Sequence, residues 1–341
     1  MPKQLFCPSP EKFEWRDYED PELERGQVLI RSQFTAAKHG TELAFHKGYA
    51  AARGRFDGQY KVFMPVESTA PGAGGGGNMT VGPVAAVGPD VKDLAVGDRV
   101  LTYGGFCQTH IRPEERCWKL PEDFPWTSAV CLDPADFAMG AVRDGHVRVG
   151  DGVAIFGMGA IGLMAVQIAR AGGASPIIAV EPLNSRRAVA GQLGAEMVLD
   201  PAACDAGLEI KKATGGRGAD VVIEYSGARP ALQAALRGVA YGGTVVAGAF
   251  PPPYDAGLDL GAEAHLNVPN IVFSRSCSEP NRDHPRWDEA RIFEACMRLL
   301  LAGKISGEKV VTPVVGFEDM ITEYPKIATE PDEYIKLGAE Y

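Results

Sequence analysis

The sequence lacks the marks of several large protein classes. No run of 18 uncharged apolar residues occurs, so no segment reads as a membrane-spanning helix. The N-terminus, MPKQLFCPSPEKFEW, has no hydrophobic core region and does not read as a secretory signal. Basic residues are in deficit: 34 Lys and Arg against 44 Asp and Glu give a net charge of −10. A surface that neutralises phosphates must be basic, so a nucleic-acid partner is not expected. Cysteine is sparse and unpaired in pattern. The seven are Cys7, Cys107, Cys117, Cys131, Cys204, Cys277 and Cys296, with no C-x-x-C among them. Reduced thiols in a cytoplasmic protein are expected, most of them buried as small hydrophobes. The glycines show no G-x-y period, which excludes a collagen helix.

Glycine is nonetheless in excess: 41 of 341 residues, against a usual share of about 7%. The length suggests two domains. Residues 1–125 read as short β segments between Gly, Pro and Asp, such as QVLIRSQFTAA, TVGPVAAVG and DRVLTYG. Residues 49–80 are rich in Gly and Pro and long for a loop, a pattern tied to functional or mobile segments. From 126 the pattern changes. DGVAIFG, PIIAVE, EMVLD, ADVVIEYSG and TVVAGAF read as strands. IGLMAVQIARAGG, SRRAVAGQLGA and ALQAALRGVAYGG read as helices. Strands alternating with helices predict βαβ units and a doubly wound parallel sheet over 126–275. Residues 276–341 hold a long amphipathic helix, WDEARIFEACMRLLLAGKI, and then return to β-like segments.

The strongest motif is Gly157-Met158-Gly159-Ala160-Ile161-Gly162, a G-x-G-x-x-G placed between a strand and a helix. The first glycine permits a tight turn, the second lets a pyrophosphate approach the backbone, and the third lets helix pack on strand. The helix N-terminus offers free N–H groups to the phosphates. Glu181 ends the next strand, where an acid binds both ribose hydroxyls of NAD and repels the 2′-phosphate of NADP. NAD is the expected cofactor. Arg186 and Arg187 follow, and either stack on adenine, sit solvated on the helix, or argue for the phosphate. Tyr225 and Ser226 end a further strand of the same sheet.

The order of these segments resembles the medium-chain dehydrogenase/reductase superfamily, the zinc-type alcohol and polyol dehydrogenases and their relatives. The resemblance is carried along nearly the whole chain by VAAVGPDVKDLAVGDRV, GMGAIG, LGAEMVLDP, ADVVIEYSG, YGGTVVAGAF and the ending EYIKLGAEY. It implies a GroES-like, β-rich catalytic domain first, then a Rossmann domain, then a return to the catalytic domain. It places the active site between the two and a backbone passing the nicotinamide at Tyr225 and Ser226. It also implies a homodimer or homotetramer, with the 265–288 stretch at an interface or over the cofactor.

The zinc ligands of that family are replaced. His39-Gly40-Thr41-Glu42 stands where C-G-[ST]-D is usual, Gly77-Asn78-Met79 stands for G-H-E, and Asp133-Pro134 stands for E-P. Asn and Met are poor zinc ligands. The four-cysteine structural lobe is missing from GDRVLTYGGFCQTHIRPEE. No metal is therefore expected, the alternative being a rebuilt site from His39, Asp133 and a loop acid such as Glu67. The G-T-E-L variant resembles a branch that includes relatives of the bacteriochlorophyllide dehydrogenases.

Without zinc, a side chain must exchange the proton. His39 is the candidate acid/base, with Thr41 or Glu42 relaying, Glu42 orienting the ring and Asp133 completing the catalytic set from the other domain's edge. The alternatives are a core histidine bonded to backbone, a structural ion pair at Glu42, and a helix cap at Asp133. His46, Tyr49, Phe56, Tyr60 and Phe63 either line a substrate pocket or anchor a solvated loop, and Arg53, Arg55 and Lys61 either meet an acidic group on the substrate or sit solvated in that loop. Asn78 and Met79 read as space-fillers. The expected activity is oxidation of a secondary alcohol on a sugar-like or cyclitol-like small molecule. The rivals are a quinone or enoyl reductase and a non-catalytic NAD-binding relative.

Overall fold

Four-residue apolar runs build the second half of the chain. Val153–Phe156 and Ile177–Val180 are buried at every position, as strands covered by helices on both faces must be. The computed structural model describes residues 1–9, 12–49, 51–65, 75–275 and 282–341, without the side chains of Phe45, His46 and Ala51. It divides into two units: Met1–Val130 with Val311–Tyr341, and Cys131–Val310.

The second unit is a Rossmann fold. Its sheet runs in the order Met197–Leu199, Ile177–Val180, Val153–Phe156, Ala219–Glu224, Val239–Ala247 and Asn270–Phe273. Every pairing is parallel. The chain moves one way from Val153–Phe156 and then resumes on its other side at Ala219–Glu224. That reversal is a topological switch point, where such sheets bind ligands beyond their carboxyl ends. Phe156 pairs with Glu224, so both strands end at this level. Helix Ala160–Ala171 buries Leu163, Met164, Val166 and Ile168. Each such side chain contributes about 1.5–3 kcal/mol by leaving water.

The first unit is antiparallel in most of its pairings. In strand Gln27–Arg31 only Val28 and Ile30 are fully buried, the alternation of a sheet with one face on a core. Strand Met79–Val87 pairs with Phe34–Ala36, Arg99–Tyr103 and Gln27–Arg31. The end of the chain completes this sheet: Gly338–Glu340 lies antiparallel to Phe34–Ala36. A Cβ at Gly338 would meet the Trp126 ring at 2.8 Å, and Trp126 itself stacks on Phe34 at 4.6 Å. Both ends of the chain thus contribute to the first unit.

The boundaries differ from the expected 126 and 276. They fall at 130/131 and 310/311. The helix Glu289–Leu301 buries Ile292, Ala295, Cys296 and Leu300 and packs on Leu132–Asp144, which holds it in the second unit. Among the described residues, no helix is long and apolar enough to cross a membrane.

Candidate active site

The three glycines of the turn have three different surroundings. Gly157 has φ of +88°, and a Cβ there would lie 2.7 Å from the Ser226 amide nitrogen. A Cβ at Gly162 would overlap the Gly157 carbonyl. A Cβ at Gly159, the helix N-cap, would meet nothing within 4 Å. The outer two glycines are therefore demanded by packing, and the middle one is not. Open space at the middle glycine, beside a helix N-terminus, is what a pyrophosphate needs. The residues here fit a dinucleotide.

Glu181 follows the strand Ile177–Val180 and is buried. Its Oε2 accepts from the Met158 amide at 2.7 Å and its Oε1 from the Leu183 amide at 3.1 Å. The carboxylate is thereby fixed to the glycine turn, with acceptor capacity left on both oxygens. Arg187 is neither solvated nor available to a phosphate. Its Nη1 donates to the carbonyls of Glu181 and Pro182, and its Nη2 pairs with Asp200 at 3.1 Å. Arg186 is half-buried on the same helix, Asn184–Leu193.

Behind the turn, Glu224 caps its own strand end. Its Oε1 accepts from the amides of Ser226 and Gly227 and from the Ser226 hydroxyl. Burial raises the Glu224 carboxyl above its ordinary value, against the pull of these hydrogen bonds. The cap holds Ser226 against Gly157. Tyr225 is held by its hydroxyl, which donates to the Phe137 carbonyl at 2.7 Å. The sequence pattern gave no role to Glu224, because its partners are set by the fold of the strand end.

In the first unit, helix His39–His46 carries His39, Thr41 and Glu42. His39 Nε2 accepts from the Leu337 amide at 2.9 Å. That nitrogen therefore holds the lone pair, and the ring is neutral with its proton on Nδ1. Glu42 is buried on the same helix. Its Oε1 accepts from the amides of Lys38 at 3.0 Å and Gly77 at 2.7 Å. Lys336 and the Tyr324 hydroxyl also act on this carboxylate. Burial is the largest influence and raises the Glu42 carboxyl above its ordinary value. The Tyr324 hydroxyl is pushed up in turn by its burial and by Glu42. Lys336, also buried, donates to the Ala37 carbonyl at 2.6 Å. Thr41 is exposed.

Asp133 lies in the second unit, buried in the first turn of Leu132–Asp144. The cap position there is Cys131, so Asp133 does not cap this helix. Phe56 and Phe63 pair across a two-stranded hairpin, ring centroids 5.3 Å apart, and both are exposed, as is Tyr60. Glu67, Gly72, Gly74 and Cys277 lie outside the described residues.

A catalytic zinc needs three good N, S or O⁻ ligands. Asn78 and Met79, at two of the family's ligand positions, do not fit it. Met79 is wholly buried in its strand, and Asn78 offers an amide. Among the described residues, no three His, Cys, Asp or Glu side chains gather as a metal site.

The comparisons agree with this fold. The family model for zinc-binding dehydrogenases matches residues 160–278. The chain is 44% identical over 349 aligned positions to D-guloside 3-dehydrogenase of Escherichia coli (strain K12), covering 99% of this chain and 100% of that protein. It superposes on the crystal structure of 2R,3R-butanediol dehydrogenase from Bacillus subtilis with a TM-score of 0.80, at 25% identity and full coverage of both chains. Two further structures share the fold. One, a zinc-binding dehydrogenase from Sinorhizobium meliloti 1021, is bound to NADP (TM-score 0.79, 20% identity, 100% of this chain and 99% of that one). The other, an alcohol dehydrogenase from E. coli CFT073, is complexed with NADH (TM-score 0.77, 18% identity, the same coverage). The chain belongs to the zinc-binding dehydrogenases of the medium-chain dehydrogenase/reductase superfamily. It is an oxidoreductase of secondary alcohols, with the Rossmann fold that binds NAD or NADP.

The glycine geometry makes a prediction. Gly159→Ala leaves the melting temperature unchanged but weakens NADH binding by about tenfold or more. Gly162→Ala lowers the melting temperature, because its methyl group overlaps the Gly157 carbonyl. Fluorescence titration and thermal unfolding of the two variants check both statements.

Proposed function

We propose that the protein oxidises a secondary hydroxyl on a sugar-like or cyclitol-like ring, with NAD as the cofactor and no zinc in the step. NAD, when bound, supplies the hydride acceptor. The observation that carries the cofactor choice is the Glu181 carboxylate, fixed to the Met158 amide at the glycine turn. A 2′-phosphate placed there would face a buried negative charge, while ribose hydroxyls would find acceptors. The commitment of Arg187 to carbonyls and Asp200 supports the same choice. The ring substrate is supported by the near-full-length likeness to a D-guloside 3-dehydrogenase. Gly157, Gly159, Ala160 and the helix that follows would hold the pyrophosphate, and Ser226 would back the turn.

His39 is the proposed proton acceptor. The Leu337 amide keeps its ring neutral, the form that accepts a proton. It does so at Nε2, so that hydrogen bond opens when the ring is protonated. Thr41, exposed in the same first turn, relays the proton towards solvent.

NAD⁺ reduction over a panel of D-gulosides, other glycosides, cyclitols and simple alcohols tests the activity. A ring alcohol is expected as the best substrate, with NAD⁺ favoured over NADP⁺ by about 100-fold, equivalent to roughly 3 kcal/mol. Equal use of the two cofactors contradicts the reading of Glu181. His39→Gln keeps an acceptor near the Nε2 position for the Leu337 amide but removes the base. It is expected to lower kcat/KM by about 10²–10⁴-fold and to remove one ionisation from the pH profile. A profile of unchanged shape would assign His39 to positioning alone.

A further inference from the structure

Asn78 carries a buried donor with no partner. Its Nδ2 is sealed from solvent and makes no hydrogen bond. Buried polar groups are almost always paired, and an orphan calls for an explanation. The backbone of Asn78 is fully used: its N–H donates to the Ala36 carbonyl at 2.9 Å, and its carbonyl accepts from the Gly104 amide at 2.9 Å. The residue is thus held still while its side-chain amide is left over. As a whole the residue is half-buried.

The same segments position His39. Asn78 precedes strand Met79–Val87, which pairs with Phe34–Ala36, and that strand leads within three residues to His39. Gly77, immediately before Asn78, has φ of +94° and donates its amide to Glu42, on the helix of His39. A Cβ at Gly77 would lie 2.8 Å from the Phe106 nitrogen, so the approach is fixed tightly. Leu337, which holds the His39 ring, adjoins Gly338, which pairs with Ala36. One frame therefore carries both the neutral imidazole and the orphan amide.

We propose that Asn78 is a catalytic residue, its side-chain amide donating a hydrogen bond to the reacting oxygen of the substrate. This rests on the reading above, that the chain oxidises an alcohol without zinc. As hydride departs from carbon, negative charge gathers on that oxygen. A fixed donor aimed at it stabilises the charge with no reorganisation at the moment of reaction, and shielding from water strengthens the contact. The cost of an orphan donor in the free protein is repaid only when substrate is present.

Two variants test this, with the best substrate of the panel and NAD⁺. Asn78→Leu removes the donor at similar volume, and Asn78→Asp replaces it with an acceptor of the same shape. Both are expected to lose about 10²–10³-fold in kcat, with NADH affinity within about twofold of wild type. Asn78→Leu is also expected to raise the melting temperature, since it deletes a buried group that bonds nothing. A structural role would lower activity and melting temperature together, and that result overturns the proposal. So does retention of kcat by either variant. A wild-type protein that oxidises none of the alcohols removes the proposal along with the reading beneath it, and shows this before any variant is made.

Discussion

A buried carboxylate ties together two parts of the first unit, the helix of His39 and the segment before Asn78. Glu42 receives the Gly77 amide from the glycine run and the Lys38 amide from the start of its own helix. Without it, the helix that begins at His39 and the segment that ends at Asn78 have no common anchor of this kind. Burial makes the charged form costly, and two amides, Lys336 and Tyr324 work against that cost. The His39 ring nitrogen Nε2 accepts from a backbone amide, Leu337, which adjoins the strand Gly338–Glu340.

The second unit follows a parallel logic. Glu224 caps the end of its strand and so presses Ser226 against Gly157, while Glu181 ties the following strand to Met158. Two buried acids thus brace the dinucleotide turn from either side of Val153–Phe156. Only Gly159 is left with open space beside it. The turn is rigid where it packs and open where a ligand approaches.

Much of this could be read from the sequence, and the limits have a physical form. The Rossmann strands were legible because each is a short apolar run, and the glycine turn because its spacing reflects three separate local demands. The role of Arg187 was not legible, since its partners Glu181, Pro182 and Asp200 come together only once strand, turn and helix are folded. The domain boundary near 276 was misplaced because the helix Glu289–Leu301 looks like any amphipathic helix until its partner, Leu132–Asp144, is known. In the first unit, His39 and Leu337 are 298 positions apart, and no local pattern joins them. Asn78 reads as filler in the sequence because a missing hydrogen bond is a property of its surroundings.

The proposed reaction of this member of a zinc-binding family is oxidation of a ring alcohol by the protein's own side chains. Turnover of a D-guloside with NAD⁺, measured across preparations whose zinc content is determined by elemental analysis, tests it most directly. The account predicts a rate per chain that does not change as zinc falls towards zero. A rate that rises in proportion to bound zinc would contradict it.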